Sequence, residues 1–179
     1  MRILIVYGTT DGHTAALAAF AAQALRNAGH DVLTSPAAAG PPPSGFDAAI
    51  IAASLHAGHY QAPVIDYVRT HRAALSERPS AFVSVSLSAA GHDHEDWEGL
   101  EACVRRFEAA TGWIPDAIHH AAGAFAFTRY GFLVRQLMKR IARKRGLQLD
   151  ARRDYDLTDY EALRRFALDF ASESAVVAA

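Results

Sequence analysis

One cysteine, two methionines, two lysines and no long apolar run leave this 179-residue chain without several common chemistries. Cys103 alone excludes an internal disulfide and a multi-thiolate metal site, which suits a reducing compartment. No stretch approaches the roughly 20 apolar residues of a membrane-spanning helix. Met1-Arg2 runs into only five apolar residues before Gly8, which is not the plan of a secretory signal, so a cytoplasmic chain is expected. Charge of one sign is missing too: 18 Lys and Arg stand against 19 Asp and Glu, for a net charge of −1. That balance excludes a surface built throughout for nucleic acid or an anionic membrane, so any basic patch must be local. One such patch exists, because nine of the 18 basic residues fall between Arg129 and Arg153. With 51% hydrophobic and 21% charged residues, the chain reads as a single globular domain.

What is present is an alternation of buried strands and helices. Arg2 to Tyr7 is a short apolar run of the kind found in a strand covered on both faces, and Ala15 to Asn27 is rich in helix formers with Gly29 as a stop. Further strands are expected at His30 to Thr34, Phe46 to Ser54, Ser80 to Leu87 and Ala117 to Gly123. Helices are expected between them, from Pro63 to about Glu77 and from Trp97 to near Gly112. A final helix is announced by Thr158-x-x-Glu161, read as a capping box, with Leu163, Phe166 and Phe170 on one face. Five strands alternating with helices imply an open, doubly wound parallel α/β sheet. Residues 125–155 exceed what five strands need and read as a helical insertion between the last strand and the last helix.

In such a sheet the first strand-to-helix turn is the usual anion site. Here it is Gly8-Thr9-Thr10-Asp11-Gly12-His13-Thr14. Two glycines permit tight backbone, helix N–H groups point at an anion, and three threonine hydroxyls donate to phosphate oxygens. The loop has no Lys or Arg, so dipoles and hydroxyls alone are expected to hold the phosphate. There is no G-x-x-x-x-G-K-[ST] and no G-x-G-x-x-G, the second strand ends in Leu33-Thr34-Ser35 without an acid for a ribose, and Ala52-Ala53-Ser54 lacks a phosphoacceptor aspartate. A small cofactor with one phosphate remains.

The loop from Thr9 to Thr14 resembles the FMN phosphate loop of flavodoxins, with Asp11 where many members have threonine. More specifically, the chain resembles the flavodoxin-like, quinone-dependent protoporphyrinogen oxidase family. The matching stretches are Ala53 to Tyr60, Pro79 to Leu87, Trp113-Ile114-Pro115-Asp116, Ala122-Gly123-Ala124, Arg129-Tyr130 and Tyr155 to Asp159. The resemblance implies a flavodoxin-like sheet of order 2-1-3-4-5 and FMN as cofactor. It places FMN against Thr9, Thr10, Asp11, Gly12, His13 and Thr14, against Ser54, Leu55, His56, Ala57 and Gly58, and against Leu87, Ser88 and Ala89. It implies oxidation of protoporphyrinogen IX with electrons passed to a quinone. The alternatives are a flavodoxin-like electron carrier and a general quinone reductase. No catalytic acid or base is singled out.

Four other features have plain structural readings. His59 and Tyr60 are a proton handler and stacking partner, or else a surface cap and a half-buried anchor. His92-x-His94, with no third fixed ligand, is read as a solvated acidic helix start and no metal site is expected. His119-His120 are read as structural, and Cys103 as core. The insertion carries Tyr130, Phe132-Leu133, Leu137-Met138 and Ile141 with basic residues between them, an amphipathic pattern that suits a covering helix or one lying on a membrane surface. The resemblance favours contact with the inner face of the cell membrane, or docking of an anionic substrate, through Arg129 to Arg153. No nucleic-acid partner is expected.

Overall fold

A computed structural model describes residues 1–91, 94–144 and 149–177. The elements follow in the order β1 (Arg2–Gly8), α1 (His13–Asn27), β2 (Asp31–Pro36), β3 (Ala48–Ser54), α2 (Ala62–Ser76), β4 (Ser80–Ser86), α3 (His94–Thr111) and β5 (Ala117–Ala122). A short strand β6 (Ala124–Phe125), a helix α4 (Phe132–Lys144), a short strand β7 (Tyr155–Asp156) and α5 (Tyr160–Val177) complete it. Strands β1 to β5 form one parallel sheet of order β2-β1-β3-β4-β5, as expected. The order reverses between β1 and β3, which opens a crevice at their carboxyl ends.

The sheet is buried on both faces, which explains the unbroken apolar runs. Successive β1 side chains point to opposite faces. Ile3 and Ile5 pack with Leu17, Ala21 and Leu25 of α1 and with Leu163, Ala167 and Phe170 of α5. Leu4 and Val6 pack with Val64, Val68 and Leu75 of α2 and Val104 and Phe107 of α3. Trp113 is fully buried on the second face, where its indole N–H donates to Ser80 Oγ at 3.1 Å. Nearby, the Asp116 carboxylate accepts from Ser80 N at 2.8 Å. Gly8 ends β1 tightly against α2, since a Cβ there would overlap Val64 Cγ2.

Two local expectations are corrected. The cap of α5 is Asp159, whose Oδ1 accepts from Ala162 N at 2.9 Å. Thr158 instead donates to Ala122 O at 2.8 Å, and Glu161 pairs with Arg164 at 2.5 Å, so the capping box does not form. The insertion is also tied off by structure too short to show a period. Strands β6 and β7 pair antiparallel, Ala124 opposite Asp156 and Phe125 opposite Tyr155, and Leu157 N donates to Gly123 O at 3.2 Å. Between them Phe125, Phe127, Ala142 and Ala151 form a small buried cluster of their own.

Candidate cofactor site

A cavity of about 770 Å³ sits where the sheet order reverses. Its floor is the β1–α1 loop. Gly12 takes the left-handed conformation, φ 87°, and caps α1 with no side-chain cap bond among the described residues, which leaves the helix N-terminus without a side-chain acceptor. Thr9 Oγ1 accepts from Gly12 N at 2.9 Å, which folds the loop onto itself and leaves the hydroxyl hydrogen available. Thr10 Oγ1 accepts from Gln61 Nε2 at 3.4 Å. Thr14 is 1% exposed, borders the cavity, and its hydroxyl has no hydrogen-bond partner among the described residues.

One wall comes from the loop after β3. Ser54, Leu55 and His56 border the cavity, with Ser54 Oγ 3.1 Å from His56 Nε2 and also accepting from Gln61 Nε2. Gln61 thus ties Thr10 of the first loop to Ser54 of the second. The chain then reverses in a tight turn: His56 N donates to His59 O at 2.9 Å and His59 N to His56 O at 3.0 Å. Both central residues are left-handed, Ala57 at φ 49° and Gly58 at φ 82°, the pattern of a type I′ turn. Ala57 bears the strain of that conformation.

The remaining walls come from Leu87 after β4 and from the inserted segment, which contributes Arg129, Tyr130, Val134, Met138 and Asp154. Of the residues expected at the site, Thr9, Thr10, Asp11, Gly12, His13, Thr14, Ser54, Leu55, His56 and Leu87 line one cavity. Ala57, Gly58, Ser88 and Ala89 are not in its lining.

Arg129 was missed as a site residue. Its guanidinium crosses from the inserted segment and donates to Asp11 O at 2.7 Å, 118 residues away in sequence. A guanidinium thus stands beside a loop whose own sequence carries no Lys or Arg. Only the Arg129-Tyr130 pair hinted at it. Tyr60, in contrast, is no stacking partner: it is 7% exposed, packs edge-on against Phe82 and Phe107, and its hydroxyl pairs with Ser84 Oγ at 2.8 Å. Burial pushes that phenol up to about 12, against the opposing Ser84 hydrogen bond.

A polar cluster closes the base of the inserted segment. Because Thr158 Oγ1 uses its own hydrogen on Ala122 O, it accepts from His13 Nε2–H at 3.0 Å, which fixes the His13 proton on Nε2. Asp156 lies 3.7 Å from the same nitrogen and accepts from the Tyr160 hydroxyl at 2.6 Å. Burial works to raise the Asp156 carboxyl, but hydrogen bonds from Tyr160 and Thr158 and the proximity of His13 outweigh it, and the group lies below its ordinary value. Asp154 lies low as well, because it accepts from both Thr128 N and Thr128 Oγ1.

The other histidines and the thiol are placed by packing. His119 stacks on Phe166 and His120 meets Trp97 edge-on, and burial lowers both imidazoles. Cys103 is buried. His94 pairs with Glu98 at 3.4 Å, while His92 lies outside the described residues.

Residues 4–151 match the family model described as a flavodoxin domain. Protoporphyrinogen IX dehydrogenase (quinone) of Leishmania major is 33% identical over 174 residues, 96% of this chain and 75% of that one. The protein of the same name from Escherichia coli K12 is 31% identical over 173 residues, 96% of this chain and 95% of that one. The chain belongs to this flavodoxin-like, quinone-dependent protoporphyrinogen IX dehydrogenase family. Solved flavodoxins share the fold. One from Streptococcus pneumoniae TIGR4 aligns with TM-score 0.57 at 17% identity, over 97% of this chain and 99% of its own. A short-chain flavodoxin associated with a bacterial microcompartment aligns with TM-score 0.61 at 14% identity, over 97% and 99%.

As a family member the chain is an FMN flavoprotein of the oxidoreductase class. The cavity fits that cofactor on three observations: the side-chain-uncapped N-terminus of α1, the unpartnered Thr14 hydroxyl beside it, and a volume in the range of cofactor pockets. FMN, when bound, supplies two-electron redox chemistry, and the chain supplies binding, orientation and access.

Proposed function

We propose that this protein oxidises protoporphyrinogen IX to protoporphyrin IX and that a quinone takes the electrons. The observation that carries this reading is the near-full-length similarity, over 96% of the chain, to relatives bearing that name. The phosphate end of FMN would rest on Thr9 to Thr14. The loops after β3 and β4 would flank the flavin ring with Ser54, Leu55 and His56 on one side and Leu87 on the other, and Ala57, Gly58, Ser88 and Ala89 would hold the backbone behind them. None of these residues is an aromatic platform, which leaves room beside the ring for a large flat substrate.

The inserted segment supports docking at the mouth. On α4, Val134 and Met138 border the cavity, while Phe132, Leu133 and Leu137 are 73%, 80% and 56% exposed next to exposed Arg140 and Arg143. An apolar patch edged with arginine suits the surface of an anionic bilayer, from which a lipid-dissolved quinone would be drawn. No helix among the described residues is long and apolar enough to cross a membrane, so contact would be peripheral.

The test is turnover by the purified, FMN-loaded protein, following porphyrin fluorescence with and without a soluble quinone. Porphyrin formation that requires quinone is the expected result. Quinone reduction from other donors, with none from protoporphyrinogen, would replace this reading with a general quinone reductase. Flotation with anionic liposomes at low salt checks the membrane contact, which is dropped if the protein stays at the bottom of the gradient.

A further inference from the structure

The cavity has an electrostatic problem of its own making. Among the described residues that line it, Asp11, Asp154 and Asp156 bring three carboxylates, and Arg129 is the sole Lys or Arg. Hydrogen bonds hold Asp154 and Asp156 below the ordinary carboxylate range, so both stay ionised at neutral pH. A phosphate monoester, mostly dianionic at that pH, must settle on a loop whose own sequence offers no lasting positive charge. Backbone dipoles and threonine hydroxyls orient a phosphate but carry no net charge to set against three carboxylates.

We infer that Arg129 is the phosphate-neutralising residue of this site, supplied to the β1–α1 loop from the inserted segment, and that it makes the cavity select FMN over the unphosphorylated flavin. The Nη1 atom already reaches the loop, donating to Asp11 O at 2.7 Å, and lies 3.9 Å from where a Cβ on Gly12 would stand. A guanidinium has five donors, so the bond to Asp11 O leaves others for phosphate oxygens. The Arg129 backbone is held in place, because Arg129 N donates to Ala126 O at 2.9 Å and Asp154 clamps the preceding Thr128 through both its N–H and its hydroxyl. Arg135 stabilises the following turn by donating to Phe127 O and Tyr130 O at 3.0 Å each. The inference rests on FMN being the cofactor.

The test uses protein stripped of flavin and titrated with FMN and, separately, with riboflavin, read by quenching of flavin fluorescence at several salt concentrations. The wild-type protein is expected to prefer FMN. In Arg129→Gln the FMN affinity should fall at least tenfold with riboflavin affinity nearly unchanged. The gap between wild type and variant should narrow as salt rises, since screening removes a charge effect and not a packing effect. Arg129→Lys should recover most of the loss at low salt. An unchanged ratio of FMN to riboflavin affinity in Arg129→Gln overturns the inference, and so does equal loss for both flavins, which would mark Arg129 as a loop brace only. A wild-type protein that binds neither flavin refutes the cofactor reading itself, a separate failure.

Discussion

The sheet body and the segment between β6 and β7 differ in almost every physical respect. From Arg129 to Arg153 there are nine basic residues and one acid, a net charge of +8. The rest of the chain holds nine basic residues against 18 acids, a net charge of −9. The body buries two extended apolar layers, one on each face of the sheet, whereas the segment has a cluster centred on Phe125, Phe127, Ala142 and Ala151. Both regions expose some large apolar side chains, but in the segment Phe132, Leu133, Val134 and Leu137 are exposed together on one helix. Near neutrality is therefore the sum of two opposed charges, and the two meet at the cavity. The body supplies the carbonyls and helix N-terminus there, and the segment supplies Arg129. The body holds most of the buried core, and both parts line the cavity.

The strongest way to break that comparison is to empty one core at a time. Phe82→Ala removes a fully buried ring stacked on Phe107 and should cost about 3–5 kcal/mol of global stability in urea unfolding. Phe127→Ala removes a ring as deeply buried, stacked on Phe125, but from the small cluster. It should leave the urea midpoint nearly unchanged while amide exchange in residues 124–156 accelerates. Equal losses of midpoint would show that segment and body unfold as one unit.

A smaller effect is expected from acid. Asp154 and Asp156 both titrate below their ordinary values in the folded protein, so the stability they contribute is complete above the unfolded carboxyl range near pH 4 and is lost as pH falls through their folded values. Both lie at the base of the segment. Pepsin cleavage between residues 124 and 156 should thus set in at a higher pH than cleavage of the sheet. Asp154→Asn should move that onset upward, and an onset common to both regions counts against a separately titrating base.

The smallest expected effect is at the β3–α2 turn. Ala57→Gly relieves the left-handed strain at φ 49° and gives back part of the gain in unfolded-state entropy, for a net stabilisation of about 0.5 kcal/mol in thermal unfolding.

The body was legible because its signals are local and repeated. Continuous apolar runs mark β1, β3 and β4, and the Thr-Gly loop marks the crevice. Trp113 and Asp116 are scaffold, both bonded to Ser80, while Val85, Ser86 and Leu87, at the end of the stretch that begins at Pro79, line the cavity. The segment was legible as surplus length, excess charge and one amphipathic helix, which is α4, but not in the short pairing that closes it. Strands of two residues have no period to read, and neighbouring Thr158 and Asp159 are equally good caps in sequence, the choice falling to Ala122 O, which takes the Thr158 hydrogen. Arg129 reaches across 118 residues, a distance over which spacing carries no information. Tyr60 reads in sequence as either a stacking partner or a half-buried anchor, and the packing of Phe82 and Phe107 around it decides for the anchor.

The hydrogen bond from Leu157 N to Gly123 O means that the chain leaves and re-enters the body at adjoining points. An excursion whose ends already touch adds only a slowly growing closure entropy however long it becomes, so its length is nearly free to vary. By the same geometry it is removable: a short turn joining Gly123 to Leu157 would bridge the gap and leave every strand of the sheet in register. What such a shortened chain would lose is the arginine beside the phosphate loop and the exposed face at the mouth. The segment thus joins the sheet through one closely spaced pair of crossings, Gly123 and Leu157, so a change in its length need not move any strand of the sheet.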